Sequence, residues 1–255
     1  MPRVGKYRLK RFLATPLLLL VACSDHSQPK ASVNLPLAQI DTATTGVING
    51  RVNFQGDAPI MPAIDMASNP NCEKQHPAPF KAETVVVNSN HTLRYAYIRI
   101  KDGLPHARWN PPPEPAKLEQ TGCVYGPHVL GIMQGQQLEI LNNDPVNHNV
   151  HAESVVNPAW NESQPPRAEH KFKVFNSGEV LFPMTCSVHP WMRSWVAVSP
   201  HPYFAVTGDD GTFTIKGVPP GTYTVEAAHE KYGKKEGKLT LAPNGTASID
   251  FSYGS

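Results

Sequence analysis

Apolar residues recur along this chain in short alternating runs rather than at helical spacing. Val47, Val52 and Phe54, set among Gly50 and Gly56, predict a first strand with a turn at Gln55-Gly56-Asp57. Glu83-Thr-Val-Val-Val, Asn88-Ser-Asn-His and Leu93-Arg-Tyr-Ala-Tyr-Ile-Arg-Ile read as a hairpin. Its second arm sets Tyr95, Tyr97 and Arg99 against Ala96, Ile98 and Ile100. Residues 103–118 contain five prolines and are expected as loop. Further strands are expected at 129–133, 137–141, around Asn149-Val150-His151, at 179–182 and at 195–199. Five more follow at 204–207, 212–215, 223–226, 238–241 and 247–251, divided by turns at 208–211, 219–221 and 243–245. Residues 225–232 are open to a helical turn instead. Short strands punctuated by turns indicate β-sandwiches, so the expected fold is all-β.

Composition narrows this further. The 255 residues include 26 prolines, about twice the usual share. So many helix breakers exclude a helical bundle and a doubly wound α/β fold. Only 17% of residues are charged, and the formal charge of +2 gives no reason to expect nucleic acid as a partner.

The first 22 residues change that charge. Arg3, Lys6, Arg8, Lys10 and Arg11 precede an apolar stretch from Phe12 to Ala22 that is too short to span a bilayer, the pattern of a secretory signal. Leu20-Val21-Ala22-Cys23 resembles the lipobox of bacterial lipoproteins. That resemblance implies cleavage after residue 22, lipidation of Cys23 and a periplasm-facing membrane anchor. Ser24, where inner-membrane retention signals carry aspartate, favours the outer membrane. The mature chain then has 18 basic and 21 acidic residues, a formal charge of −3. Residues 23–45 are polar and patternless, a flexible tether. Besides Cys23, the cysteines are Cys72, Cys123 and Cys186, an odd number for an oxidising compartment.

The segment Cys186-Ser-Val-His189-Pro190-Trp191-Met192 offers a thiol, an imidazole and a thioether within seven residues. A second imidazole, His148, lies in Asn142-Asn-Asp-Pro-Val-Asn-His148-Asn149-Val150-His151. Two histidines and a thiolate with a weak axial methionine suit a type 1 copper ion, whereas zinc favours a stronger fourth ligand. On an extended strand His148 and His151 point to opposite faces, so only one can join the site, and His148 is preferred. Other readings stay open: Cys186 as a half-cystine, and Met192 as core packing. His128, His201 and His229 are expected as hydrogen-bonded structural residues.

These residues resemble the small cupredoxins over roughly residues 120–200. The His-to-Met spacing is that of amicyanin, shorter than in plastocyanin or pseudoazurin. The resemblance implies His148, Cys186 and His189 as strong copper ligands, Met192 as the axial one, and Asn149 as a pin between the two ligand loops. It places Pro190 and Trp191 beside a solvent-facing edge of His189, where redox partners dock. With Cys186 taken as ligand, Cys72 and Cys123 are expected as a disulfide. Residues 204–225, Phe-Ala-Val-Thr-Gly-Asp-Asp-Gly-Thr-Phe-Thr-Ile-Lys-Gly-Val-Pro-Pro-Gly-Thr-Tyr-Thr-Val, resemble the carboxypeptidase regulatory-like (transthyretin-like) sandwich, as does the strand from Gly46.

The expected fold is thus a cupredoxin-like Greek-key sandwich over 46–200 and a smaller transthyretin-like sandwich over 201–255, in tandem. Strands from 46–104 are the candidates to complete the second, which would make the first an insertion. The expected function is single-electron transfer, not catalysis, between periplasmic redox proteins such as a c-type cytochrome or a dehydrogenase or oxidase. A copper(I) carrier and a metal-free interaction module are the alternatives. No paired carboxylates or nucleophile elbow support hydrolysis.

Overall fold

In the computed structural model the described residues are 35–254, together with Met1, Pro2 and Gly5. The rest of the expected signal segment, Cys23 and the start of the tether lie outside them. The regular elements of the described chain are almost all strands, in the order β1 (Gly46–Gln55), a short helix α1 (Pro70–Glu73) and β2 (Tyr97–Asp102). Nine strands follow: β3 (Ala116–Thr121), β4 (Val124–Gly126), β5 (Val129–Met133), β6 (Gln137–Asn142), β7 (His148–Ala152), β8 (Trp160–Gln164), β9 (Lys171–Val174), β10 (Glu179–Thr185) and β11 (Arg193–Ser199). The chain ends with β12 (Phe204–Val206), β13 (Thr212–Val218), β14 (Gly221–His229), β15 (Gly233–Leu241), β16 (Thr246–Ser248) and β17 (Phe251–Gly254).

Four sheets make two sandwiches within one compact unit. In the first, β13-β1-β16 with β17 also on β1 faces β12-β2-β14-β15. Alternation puts Ile48, Val52, Phe213 and Ile215 of one sheet against Ile98, Ile100, Val225 and Ala227 of the other, in a single core. In the second, β5-β11-β10-β7-β8 faces β4-β3-β6-β9, with Leu118, Leu138 and Ile140 packed against Ile132, Val150, Met184 and Val196.

The strand pairing corrects the tandem arrangement. Strand β1 is the common partner of β13, β16 and β17, and β2 lies between β12 and β14, so residues 201–255 cannot close their own sheets. Strands β3–β11 are inserted into this split sandwich. They leave it after β2 and return at β12, its antiparallel neighbour, with Arg99 opposite Phe204 and Tyr97 opposite Val206.

Local expectations also change: residues 116–118, expected as loop, open β3. The hairpin reduces to an isolated bridge between Val87 and Leu93, because His91 and Tyr95 adopt positive φ and turn the chain away from a regular ladder. Residues 225–229 continue β14 rather than turning into helix. The alternation of the second arm holds: Ala96, Ile98 and Ile100 enter the split core, while Tyr97 faces the inserted sandwich with Val129 and Ala197. Gly131 makes that approach feasible, since a Cβ there would lie 2.7 Å from the Phe204 ring and 3.1 Å from that of Tyr97.

Candidate metal centre

One end of the inserted sandwich gathers three soft and borderline donors. Strand β10 delivers Cys186 to a tight loop that closes when Met192 N–H donates to the His189 carbonyl (2.9 Å) and Cys186 N–H to the Met192 carbonyl (3.3 Å). The loop also turns the His189 N–H toward Cys186 Sγ at 3.4 Å. His148 opens β7 on the neighbouring strand. His148 Nδ1 and His189 Nδ1 face each other at 2.9 Å, and Cys186 Sγ lies 4.0 Å from His189 Nδ1. All three donor atoms lie within 4.8 Å of one another, on residues no more than 3% exposed. Met192 is buried in the apolar cluster that contains Cys186. His151 is absent from this group: its side chain is 38% exposed and points toward Glu153.

Neighbouring groups hold the donors in place. The Asn149 side-chain carbonyl accepts from Ser187 N–H (2.7 Å) and from the Cys186 thiol (3.4 Å), which ties β7 to the cysteine loop. Its amide donates to Asn161 (2.7 Å). Asp144, four residues before His148, takes the His148 Nε2 hydrogen at 2.8 Å and accepts backbone N–H groups from Gly122 and Cys123. In a neutral ring this leaves the His148 Nδ1 lone pair free to coordinate. The Tyr125 hydroxyl donates to the carbonyls of Asn149 and Thr185, on the two strands that carry the donors.

The charges follow from these contacts. Burial opposes ionisation of Cys186, but hydrogen bonds from His148 and backbone N–H groups outweigh it and hold the thiol below its ordinary value. Burial disfavours a charged His148, yet the contacts with Asp144 and Cys186 raise it. Burial and the neighbouring His148 lower His189. Asp144 is lowered although burial works against it, because His148 and two backbone N–H groups stabilise its carboxylate.

The donors fit a metal ion. Two facing imidazole nitrogens at 2.9 Å need one hydrogen between them, and a cation can replace it. Metal–nitrogen and metal–sulfur bonds of roughly 2.0 to 2.3 Å span the observed separations.

The structure joins Cys72 to Cys123 in a disulfide with an S–S distance of 2.03 Å, leaving Cys186 free and buried. Its placement overturns the expected solvent-facing edge of His189. Cys72 Sγ lies 3.6 Å from His189 Nε2, and His189 is 2% exposed. Residues 61–82 fold over this end of the sandwich, with Ile64 N–H donating to the Phe80 carbonyl and Ala82 N–H to that of Pro62. Pro190 is exposed. Trp191 is half-buried, its ring 5.1 Å from that of His189 and its Nε1–H donating to the Cys123 carbonyl at 3.0 Å.

The remaining histidines have structural settings. His128 pairs with Glu230 and lies 3.8 Å from Glu83, and His201 Nε2 contacts the Ile100 carbonyl at 2.8 Å. Burial pushes both His201 and His229 down to about 4. Sequence reasoning missed Asp144, for which the signal was a carboxylate four residues before a candidate ligand histidine. It also missed Tyr125 and the covering role of residues 61–82, for which no local pattern exists.

A carboxypeptidase regulatory-like domain model matches residues 196–253, which form the C-terminal strands of the split sandwich and the end of β11. Among solved structures, the chain is similar to the Cu-containing nitrite reductase (NirK) from Thermus scotoductus SA-01, at 23% identity with a TM-score of 0.31. That match covers 34% of this chain and 23% of the reductase, so the chain spans about a quarter of that protein's length. It is also similar to a purple cupredoxin from Nitrosopumilus maritimus, at 26% identity and a TM-score of 0.29, over 33% of this chain and 99% of that one. A Cu(I) amicyanin variant matches at 20% identity and a TM-score of 0.30, over 33% and 82% of the two chains. No curated protein matches the chain. The fold is all-β, and the carboxypeptidase regulatory-like match falls on its C-terminal strands.

Proposed function

We propose that the inserted sandwich holds one copper ion and passes single electrons between redox partners on the periplasmic side of a bacterial membrane, to which Cys23 anchors the chain. The observation that carries this reading is a free, buried thiol with two imidazole Nδ1 atoms converging on it. His148, Cys186 and His189 would hold the ion, with Met192 as the weak fourth ligand. A bound copper ion supplies a reversible one-electron couple.

The chain does the rest. Hydrogen bonds favour the thiolate of Cys186, the form that ligates metal. Asp144 fixes the His148 ring and its tautomer, and Asn149 keeps the two donor loops at constant separation. Phe182, Met184 and Met192 are buried around the cysteine and keep water out. With every donor on the protein and the thiol buried, the site favours electron transfer over turnover of a bound substrate.

The test is the visible and EPR spectrum of the exported protein loaded with Cu(II). An intense thiolate-to-copper charge-transfer band with narrow hyperfine splitting is expected, and both should vanish in Cys186→Ser. A protein that takes up Cu(II) with no such band, or none at all, overturns the proposal.

A further inference from the structure

We infer that a cleft beside Trp191 binds a one-ring hydroxyaromatic reductant, a phenol or hydroquinone, and that this molecule is an electron donor to the centre. The electron step rests on the copper reading above, whereas the binding step does not.

The argument begins with the closed edge of His189. With Cys72 Sγ 3.6 Å from Nε2, no partner can touch that imidazole directly. The ring that leads outward from it is Trp191, 5.1 Å from His189 and only half-buried. Trp191 forms one wall of a cleft of about 190 Å³. An apolar cavity of about 150 Å³ accommodates benzene, so this volume suits one ring with a polar substituent and excludes a folded partner.

The lining divides in two. Ile64, Phe80 and Trp191 offer apolar and aromatic surface, while Glu83, His128, Glu230 and Arg193 bring polar groups to the same cleft. Glu230 and His128 are nearly buried and paired to each other, but the Glu83 side chain is 26% exposed. The Tyr95 hydroxyl donates to Glu83 at 2.8 Å and fixes its position. Glu83 is therefore a carboxylate acceptor held at the polar end of an aromatic slot, the complement of an aryl hydroxyl.

That chemistry matches a donor that loses a proton with its electron. One O–H bond breaks. The proton would pass to the Glu83 carboxylate, and the electron by way of Trp191 and His189 to the one-electron oxidant that a Cu(II) ion held at the proposed centre would supply. A neutral aryloxyl radical leaves the cleft, and a second such event takes a hydroquinone to the quinone.

The test begins with metal-free protein, disulfide intact, titrated anaerobically with hydroquinone in a calorimeter. Saturable one-to-one binding is expected, weakened about tenfold in Glu83→Gln and in Phe80→Ala. The unsubstituted protein should bind 1,4-dimethoxybenzene, which has no O–H to donate, at least about tenfold more weakly. In copper-loaded protein, reduction by hydroquinone should saturate with its concentration and slow about tenfold in Glu83→Gln, while reduction by ferrocyanide stays unchanged. Absence of one-to-one binding, or equal binding of hydroquinone and its dimethyl ether, overturns the inference whether or not copper is held. Selective binding to a protein that shows no copper–thiolate band leaves the cleft standing and removes the electron route.

Discussion

Both sandwiches bury histidines, and His201 and His229 of one are set in the opposite way to His148 of the other. In the split sandwich, His201 and His229 sit in apolar surroundings where burial pushes them to about 4, and each Nδ1 accepts a backbone N–H, from Tyr203 and Lys231 respectively. These rings are kept neutral. At the end of the inserted sandwich, the buried groups are hydrogen-bonded to one another: Asp144 to His148, His148 to His189, and Cys186 Sγ to the His189 N–H. Here burial costs are offset by partners, and the charged forms of Asp144 and Cys186 are favoured. Burial among backbone partners keeps a histidine neutral, whereas burial beside a carboxylate and a thiol, as at His148, raises it.

The largest test of this contrast is the pH dependence of stability. His201 and His229 have folded values near 4 against about 6.5 unfolded, so between those limits the unfolded chain binds more protons. Their contribution is complete above about pH 6.5, declines as the pH falls, and levels off below about pH 4. The loss should be on the order of 3 kcal/mol for each histidine. Urea midpoints measured from pH 7.5 to 4 should show it, and His201→Gln/His229→Gln should flatten that part of the profile. An unchanged slope in the double variant would break the comparison.

Removing the disulfide with Cys72→Ala/Cys123→Ala should cost about 4 kcal/mol, from the 51-residue separation it closes. Urea unfolding under non-reducing conditions measures this, and a loss below about 1 kcal/mol would show that the cover over His189 is held by packing alone. Gly131→Val places a side chain into the rings of Phe204 and Tyr97 and should cost about 1–3 kcal/mol, read as a lowered melting temperature of the whole chain. If the two sandwiches then melt separately, the contact at Gly131 couples them. The smallest expected effect is on metal affinity: Asp144→Asn should weaken copper binding about 10- to 100-fold in a competition titration with a chelator, with the fold intact by circular dichroism. An unchanged affinity would reduce Asp144 to a brace for the Gly122–Cys123 turn.

Much of the architecture was legible because short-range alternation sets the strands. The period-two runs at 137–141 and 195–199 appear as β6 and β11, and the Ala96/Ile98/Ile100 face enters the core as its pattern indicates. Strands β8 and β9 escaped notice because they are polar edges: Lys171-Phe172-Lys173-Val174 exposes both its apolar side chains. The thiol, imidazole and thioether of the 186–192 loop were readable because their spacing is local. The cover was not, since Cys72 and His189 meet across 117 residues and no periodicity encodes such a contact. The insertion was hidden for the same reason: β1 looks like any short strand until its partners near residues 212–254 are known.

That topology also sets an order of events during synthesis. Strand β1 emerges about 160 residues before β13, and β2 about 100 residues before β12. At 5–20 residues per second, β1 waits roughly 8–30 s for its first partner. In that interval β3–β11 are complete and can collapse on their own nearest neighbours, while Ile48, Val52 and Ile98 remain without a core. The nascent chain thus presents a finished inserted half and an unfinished, sticky frame, and the pairing of β17 with β1 closes the frame around it.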